Sequence, residues 1–346
     1  MEPHPSPKFS VRKILVWIAL LMAVAFVVVS ITELENIAHA LQRGNWLFLL
    51  LAVGLQLLCL ANNAQTYWAV YRLVGLQESW RYLLLLSTAF TFVNMIAPSG
   101  GVGGVAVFVD SAKQRNQSPA RAMVVGILYA IYEYVTLLIV IFAGFVVLIR
   151  RNNIRAGEVT AALLLLAATI GFGLLLYIGY RSAERLGDLL QRFSIRVNRL
   201  LYRFFHREVI NPEQARQLAV EVGEGVAAIR ESKGKLIQPF FFAMSNKIIL
   251  MGLLTTIFLA FGVDFSAGTI VGGYSMVQLF FYVSPTPAGI GMVESIFPPI
   301  LTMLQVPIGK ALLVTLLYRG ITVWLTFGIG FYSFRKLQSL FSANKQ

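Results

Sequence analysis

Long apolar runs alternate with short polar joints along this chain. The runs are Ile14–Ile31, Trp46–Tyr71, Ala122–Ile149, Thr160–Tyr180, Ile237–Phe261 and Ala311–Phe334. Each holds at least 18 residues. At about 1.5 Å per residue, that length crosses a hydrocarbon core of about 30 Å with some tilt. The pattern predicts an all-α polytopic membrane fold with six spanning helices. Two further apolar segments break in the middle: FTFVNMIAPSGGVGGVAVF (Phe90 to Phe108) and LFFYVSPTPAGIGMVESIF (Leu279 to Phe297).

Backbone groups freed by such a break have no water to bond in lipid. A break persists only where protein or a wet cavity lines it. Proline ends a helix and removes a donor, and glycine permits positive φ and close approach. The breaks are carried by Pro98, Gly100, Gly101 and Gly103 in the first segment, and by Pro285, Pro287, Gly289 and Gly291 in the second. A second helical limb should start after Gly104 and again after Gly291. Each start places a helix N-terminus, which favours an anion, near the membrane midplane. Paired breaks of this kind point to a transport site. The plainer reading is tight helix packing through small residues.

Lysine and arginine set the topology. Lys8, Arg12 and Lys13 put the N-terminus inside, and Arg72 and Arg81 return to that side. A re-entrant first hairpin keeps Lys113, Arg115 and Arg121 inside, whereas a crossing segment would carry them out. Arg150, Arg151 and Arg155 then lie outside, against the bias. Segment 181–236, with 11 Lys/Arg and 7 Asp/Glu, is a cytoplasmic amphipathic basic element. The far end, with Arg335, Lys336 and Lys345, is cytoplasmic too. The expected architecture is one membrane domain over residues 1–346, with six spans and two oppositely oriented re-entrant hairpins. It divides into repeats at 14–149 (hairpin at 82–112) and 160–336 (hairpin at 268–305), upside-down relative to each other. Gly101-Val102-Gly103 matches Gly289-Ile290-Gly291 across them. The alternative is an eight-span bundle of kinked helices. For the first run the alternative is a cleaved signal peptide, but its apolar stretch is too long and Glu33 and Glu35 follow it.

Composition agrees with this picture and narrows it. The chain has 346 residues, 57% of them hydrophobic and 13% charged, with mean hydropathy +0.72. Soluble domains carry about 25% charged residues. The net charge of +13 therefore suits anionic lipid and not nucleic acid. One cysteine, Cys59, and three scattered histidines make no metal or disulfide framework, so no cofactor or metal is expected.

Four charges fall inside apolar stretches: Glu133, Lys247, Glu294 and Arg319. A charge at the bilayer centre costs about 2.5–3.5 kcal/mol on insertion scales, so each should face a partner or water. Glu133 follows Gly101 by 32 residues and Arg319 follows Gly289 by 30, which brings them to similar depth in inverted repeats. The functional reading is a gating ion pair or headgroup ligands, and the plainer one is a structural salt bridge; Glu294, beside a helix N-terminus, is the other candidate to hold Arg319. Lys247 belongs to that site or snorkels to the interface.

A basic stripe of Arg192, Arg196, Arg199, Arg203 and Arg207 occupies one helix face, beside apolar Leu189, Leu190, Phe193 and Val197. It predicts a helix lying on the anionic membrane surface. The alternative is a helix packed on the bundle. Asn211-Pro212 should start the next helix.

On these residues the chain resembles the flippase-like transmembrane domain of lysylphosphatidylglycerol synthases and its stand-alone relatives, over about Ile14 to Lys336. PTPAGIGMVE (Pro285 to Glu294) follows the family pattern Pro-x-Pro-Gly-Gly-x-Gly-x-x-Glu, with Ala288 replacing the first Gly of its Gly-Gly pair. Arg319 matches the family's late arginine, and Asn94 to Gly101 its first Pro/Gly motif. The Gly-Glu-x-x-Arg of some members is missing there. The resemblance implies a lipid flippase in a bacterial or archaeal inner membrane, with both termini cytoplasmic. Its cargo would be a phosphate-bearing lipid: an anionic or aminoacylated phospholipid, or a polyprenyl-phosphate carrier. No aminoacyl-transferase segment is legible, so no enzyme activity is expected. The alternative is a non-transporting lipid-binding subunit that supports a glycosyltransferase or a cell-envelope synthase. The expected partners are the lipid and the membrane surface; self-association stays open.

Overall fold

The computed structural model describes residues 35–96, 104–150, 156–205, 211–227 and 234–343. The first apolar run, Pro98, Gly100, Gly101, Gly103 and Arg207 lie outside them. Among the described residues there is no strand. In chain order the helices are α1 (Trp46–Leu73), α2 (Trp80–Ile96), α3 (Val105–Gln114), α4 (Pro119–Arg150), α5 (Ala156–Arg181) and α6 (Ala183–Phe205). They continue with α7 (Pro212–Ala227), α8 (Ile237–Ala260), α9 (Ala267–Val283), α10 (Met292–Met303) and α11 (Ile308–Arg319). A π-helical stretch, Gly320–Leu325, then leads into α12 (Thr326–Ala343).

Among the described residues, five stretches are long and apolar enough to cross a membrane: α1, α4, α5, α8 and the joined helix Ile308–Ser342. They coincide with the last five predicted runs. Their ends follow local chemistry. Asn45 caps α1 by accepting from the Leu47 N–H, and Ser266 caps α9 in a reciprocal box with Thr269. Pro119 and Pro212 stand first in α4 and α7, each behind a capping residue, Ser118 and Asn211.

The two broken segments become α2–α3 and α9–α10. Their limbs have 17 and 10 residues, and 17 and 12 residues. At 1.5 Å per residue these are about 26, 15, 26 and 18 Å, short of a hydrocarbon core of about 30 Å. The limbs run antiparallel within each pair. Gly273, early in α9, faces Leu301 and Phe297 of α10. In the first pair Phe90 packs on Phe108, and the Tyr82 and Ser111 hydroxyls share a hydrogen bond. The second limbs begin where the breaks predict, directly after Gly104 and Gly291.

Each pair packs on the far half of the chain. α2 lies along α12, α9 lies along α4, and α1 lies along α8. Glycines permit two of these approaches. A Cβ on Gly330 would stand 2.8 Å from the Thr88 carbonyl oxygen, and one on Gly144 would stand 1.8 Å from Ser275 Oγ.

The basic segment folds into α6 and α7, a helical pair seated on α5 and α4. Leu186, Ala219, Val222 and Val226 are buried against the bundle. The apolar face of α6 divides. Leu186 and Leu190 turn inward, while Leu189 and Phe193 stay exposed beside exposed Arg192, Arg196 and Arg199. The helix thus packs on the bundle and also presents a mixed basic and apolar face outward. Arg203 lies within α6.

Candidate functional site

The end of α2 meets the turn between α9 and α10. Met95, at the end of α2, packs with Ala288 and Ile290 of the second turn and with Val323 of the π-helical stretch. Three residues of that turn have positive φ: Ala288 (φ 51°), Gly289 (φ 70°) and Gly291 (φ 83°). At Gly289 a Cβ would also meet Val293 at 2.9 Å, so glycine is required there twice over. Ala288 keeps the left-handed conformation without glycine's freedom, at a cost of about 1–2 kcal/mol. The turn is thus preserved despite the substituted glycine, under local strain. Ala288→Gly should raise stability, because relief of that strain exceeds the added unfolded-state entropy of about 0.4–1 kcal/mol. A thermal-unfolding series in detergent checks this; a lowered midpoint would count against the strain.

Behind the turn lies a cavity of 190 Å³. Glu133, Lys247, Gly289 and Arg319 line it, together with Asn94 from the first tip. It is smaller than the roughly 300–1,000 Å³ of drug-sized pockets. It suits a headgroup fragment and not acyl chains. Pro285, Pro287, Gly291 and Glu294 lie outside its lining, but Glu294 reaches in through Arg319.

The four membrane-depth charges form two ion pairs. Lys247 Nζ donates to Glu133 Oε2; the side chains are 2% and 5% exposed. Lys247 therefore does not snorkel; it points into the core. Tyr282 also donates to Glu133 Oε2, at 3.1 Å. Glu133 Oε1 is buried without a hydrogen-bond partner among the described residues. Arg319, 1% exposed, donates through Nε to Glu294 Oε1. The other oxygen of Glu294 accepts from the Gly291 N–H at 2.7 Å. One carboxylate thus caps α10 and holds the arginine of the facing helix. At the first tip the Asn94 side chain accepts from the Gly104 N–H at 2.7 Å, so an amide plays the corresponding part. Arg319 stands directly before the π-helical stretch, and such widened turns recur at functional sites.

The structure adds residues that sequence reasoning passed over. Asn246 donates to Asn63 Oδ1 at 2.9 Å, Tyr129 donates to the same oxygen at 3.3 Å, and Asn62 joins from α1 through Ser245 and Asn246. Gln56 donates to Thr326 Oγ1 at 2.7 Å, and Gln278 reaches the Tyr274 and Tyr318 hydroxyls. Their signal was available: each is an isolated amide in an apolar run.

The residues of both breaks and all four charges of the two ion pairs fall inside one family match. Residues 14–330 match the model of the lysylphosphatidylglycerol synthase TM region. The chain belongs to that family. It is a multi-pass membrane protein, and the family gives it a membrane-lipid-related role. No curated protein matches it.

Proposed function

We propose that this protein moves a phosphate-bearing lipid between the leaflets of a cell inner membrane, with both hairpins re-entrant. One observation carries the reading. The end of α2 and the second turn meet beside a cavity that Glu133, Lys247 and Arg319 line, and that arginine is held by a carboxylate that a phosphate can displace. The short limbs support re-entrant hairpins over full crossings.

Internal symmetry supports alternating access. The glycine contact of α4 with α9 recurs between α12 and α2, at offsets of 186 residues (144 to 330) and 187 (88 to 275). The Glu133–Lys247 pair has a counterpart in Gln56–Thr326, at offsets of 191 (56 to 247) and 193 (133 to 326). Inverted repeats of this kind rock around a fixed site. In this reading the headgroup sits in the cavity while its acyl chains remain in the bilayer.

The test is reconstitution into liposomes carrying a headgroup-labelled anionic phospholipid, with an impermeant reductant outside. Inner-leaflet label should become reducible faster than in protein-free liposomes. Binding of the lipid without faster exposure would replace translocation by the non-transporting, lipid-binding role.

A further inference from the structure

We propose a second binding site, for a lipid headgroup whose phosphate carries net negative charge, in a cleft of 410 Å³ at the joint between α1 and α2. It is remote in chemistry from the central cavity and carries its own argument. Two guanidinium groups line it. Arg72 stacks on the Trp68 ring at 4.0 Å, and Arg115 stacks on the Tyr82 ring at 4.4 Å. Arg115 is further fixed through Nε by Glu78 at 2.6 Å, and Gln117 donates to the same oxygen at 2.8 Å. Glu78 is 4% exposed, so it anchors from beneath. Among the described residues, the Nη groups of Arg115 and the guanidinium of Arg72 make no hydrogen bond. Stacking has therefore fixed both planes and left the forks available. Such forks match the oxygens of a phosphate.

The charge balance favours an anion. Glu78 offsets one arginine of the two. A third, Arg121, brings Nη1 to 3.4 Å from where a Cβ on Gly75 would stand, beside the same joint. Trp68 and the exposed Trp80 flank the cleft, and tryptophan is enriched at the headgroup level of membranes. A lipid phosphate is thus a ligand that meets both the arginines and the tryptophans.

The cleft also has a defined relation to the central cavity. Tyr71 lines the cleft, while Phe90 and Tyr129 line the cavity. Phe108 bridges them, with ring centroids 6.1 Å from Tyr71 and 5.0 Å from Phe90. Tyr67 completes the layer, stacked on Tyr129 at 4.0 Å. One aromatic layer therefore separates the two spaces, and a headgroup in the cleft waits outside it.

The experiment uses the full chain in detergent and reads Trp68 fluorescence as the difference from Trp68→Phe. The titrants are dihexanoyl phosphatidic acid, tail-matched dihexanoyl phosphatidylcholine and inorganic phosphate. Phosphatidic acid should shift the Trp68 signal saturably. Arg72→Gln, which leaves the Arg115–Glu78 anchor intact, should weaken that binding about tenfold, the loss of one charge-assisted contact. Arg115→Lys should weaken it as well. Phosphatidylcholine binding as tightly, or Arg72→Gln and Arg115→Lys binding as wild type, would overturn the site. Inorganic phosphate saturating at the same concentration would overturn the lipid as the source and leave a free anion. Since no step reads transport, failure here leaves the translocation reading standing, and the converse holds.

Discussion

Arg319→Lys should slow lipid translocation in proteoliposomes by about ten- to a hundredfold while leaving a folded, membrane-inserted protein. Lysine keeps the charge but loses the planar fork that grips two oxygens at once. A hydrogen bond to a charged group is worth about 1.5–3 kcal/mol, and about 1.4 kcal/mol is a factor of ten. At rest Arg319 is already engaged. Its Nε bonds Glu294, and Glu294 bonds the Gly291 N–H with its other oxygen. An arriving phosphate competes for the arginine and, if it takes it, releases a carboxylate that caps α10. Binding is thereby linked to the helix start that follows the turn. Glu294→Gln should also reduce translocation, because an amide accepts more weakly than a carboxylate and no longer neutralises Arg319. The two variants differ in binding. Arg319→Lys should weaken headgroup affinity, whereas Glu294→Gln removes a competitor and should strengthen it. If Arg319→Lys translocates at the wild-type rate, the phosphate-gripping role is wrong and the pair is a structural bridge.

Much of this fold was legible because lipid leaves the backbone few choices. An apolar run of spanning length must be a helix, so Trp46–Tyr71 and Ile237–Phe261 became α1 and α8 with little change. The breaks were legible for the same reason. Gly289 and Gly291 take the positive φ that their presence suggested, and in the same turn Ala288 accepts it with a side chain. Pairing was legible in part. A carboxylate at the start of α10 is the natural holder of Arg319, and α10 does face α11 and present Glu294 to Arg319. The partner of Lys247 was not legible, because symmetry of the repeats set Glu133 beside Arg319, whereas α8 crosses α4 and presents Lys247 to Glu133. The amides were visible but their partners were not. Asn62, Asn63 and Gln56 are polar positions in an apolar run, and each carries a bond across helices whose other end only packing fixes. The stripe on α6 was legible as a face, but not which half of its apolar side would turn to the bundle. That depended on α7, whose Ala219 and Val222 supply the groove. Nor did the last span end at Phe334. α12 runs to Ala343 because Arg335 and Lys336 suit a helix that emerges into water.

Lys247→Ala should destabilise the protein by about 3–5 kcal/mol, the usual consequence of stranding one member of a buried ion pair. Glu133 would be left with Tyr282 as its sole remaining hydrogen-bond donor on Oε2, and with Oε1 already without one among the described residues. Both side chains are nearly inaccessible, so neither water nor counterion relieves the charge without opening the packing of α4 on α8. Removing both charges is a different matter. Glu133→Gln with Lys247→Met replaces the pair by groups of similar volume, and such exchanges are often close to neutral. The double variant should therefore regain most of the lost stability, measured as the thermal midpoint in detergent. A double variant as unstable as Lys247→Ala would mean that the lysine acts through packing of its stem and not through its charge. Translocation separates structure from function in the same set. The double variant keeps the helix contact but takes both charges out of the cavity beside Arg319. Lost transport with regained stability would place Glu133 and Lys247 in the lipid path. Transport that recovers together with stability would make the pair a strut that holds α4 and α8 apart at the width the cavity needs.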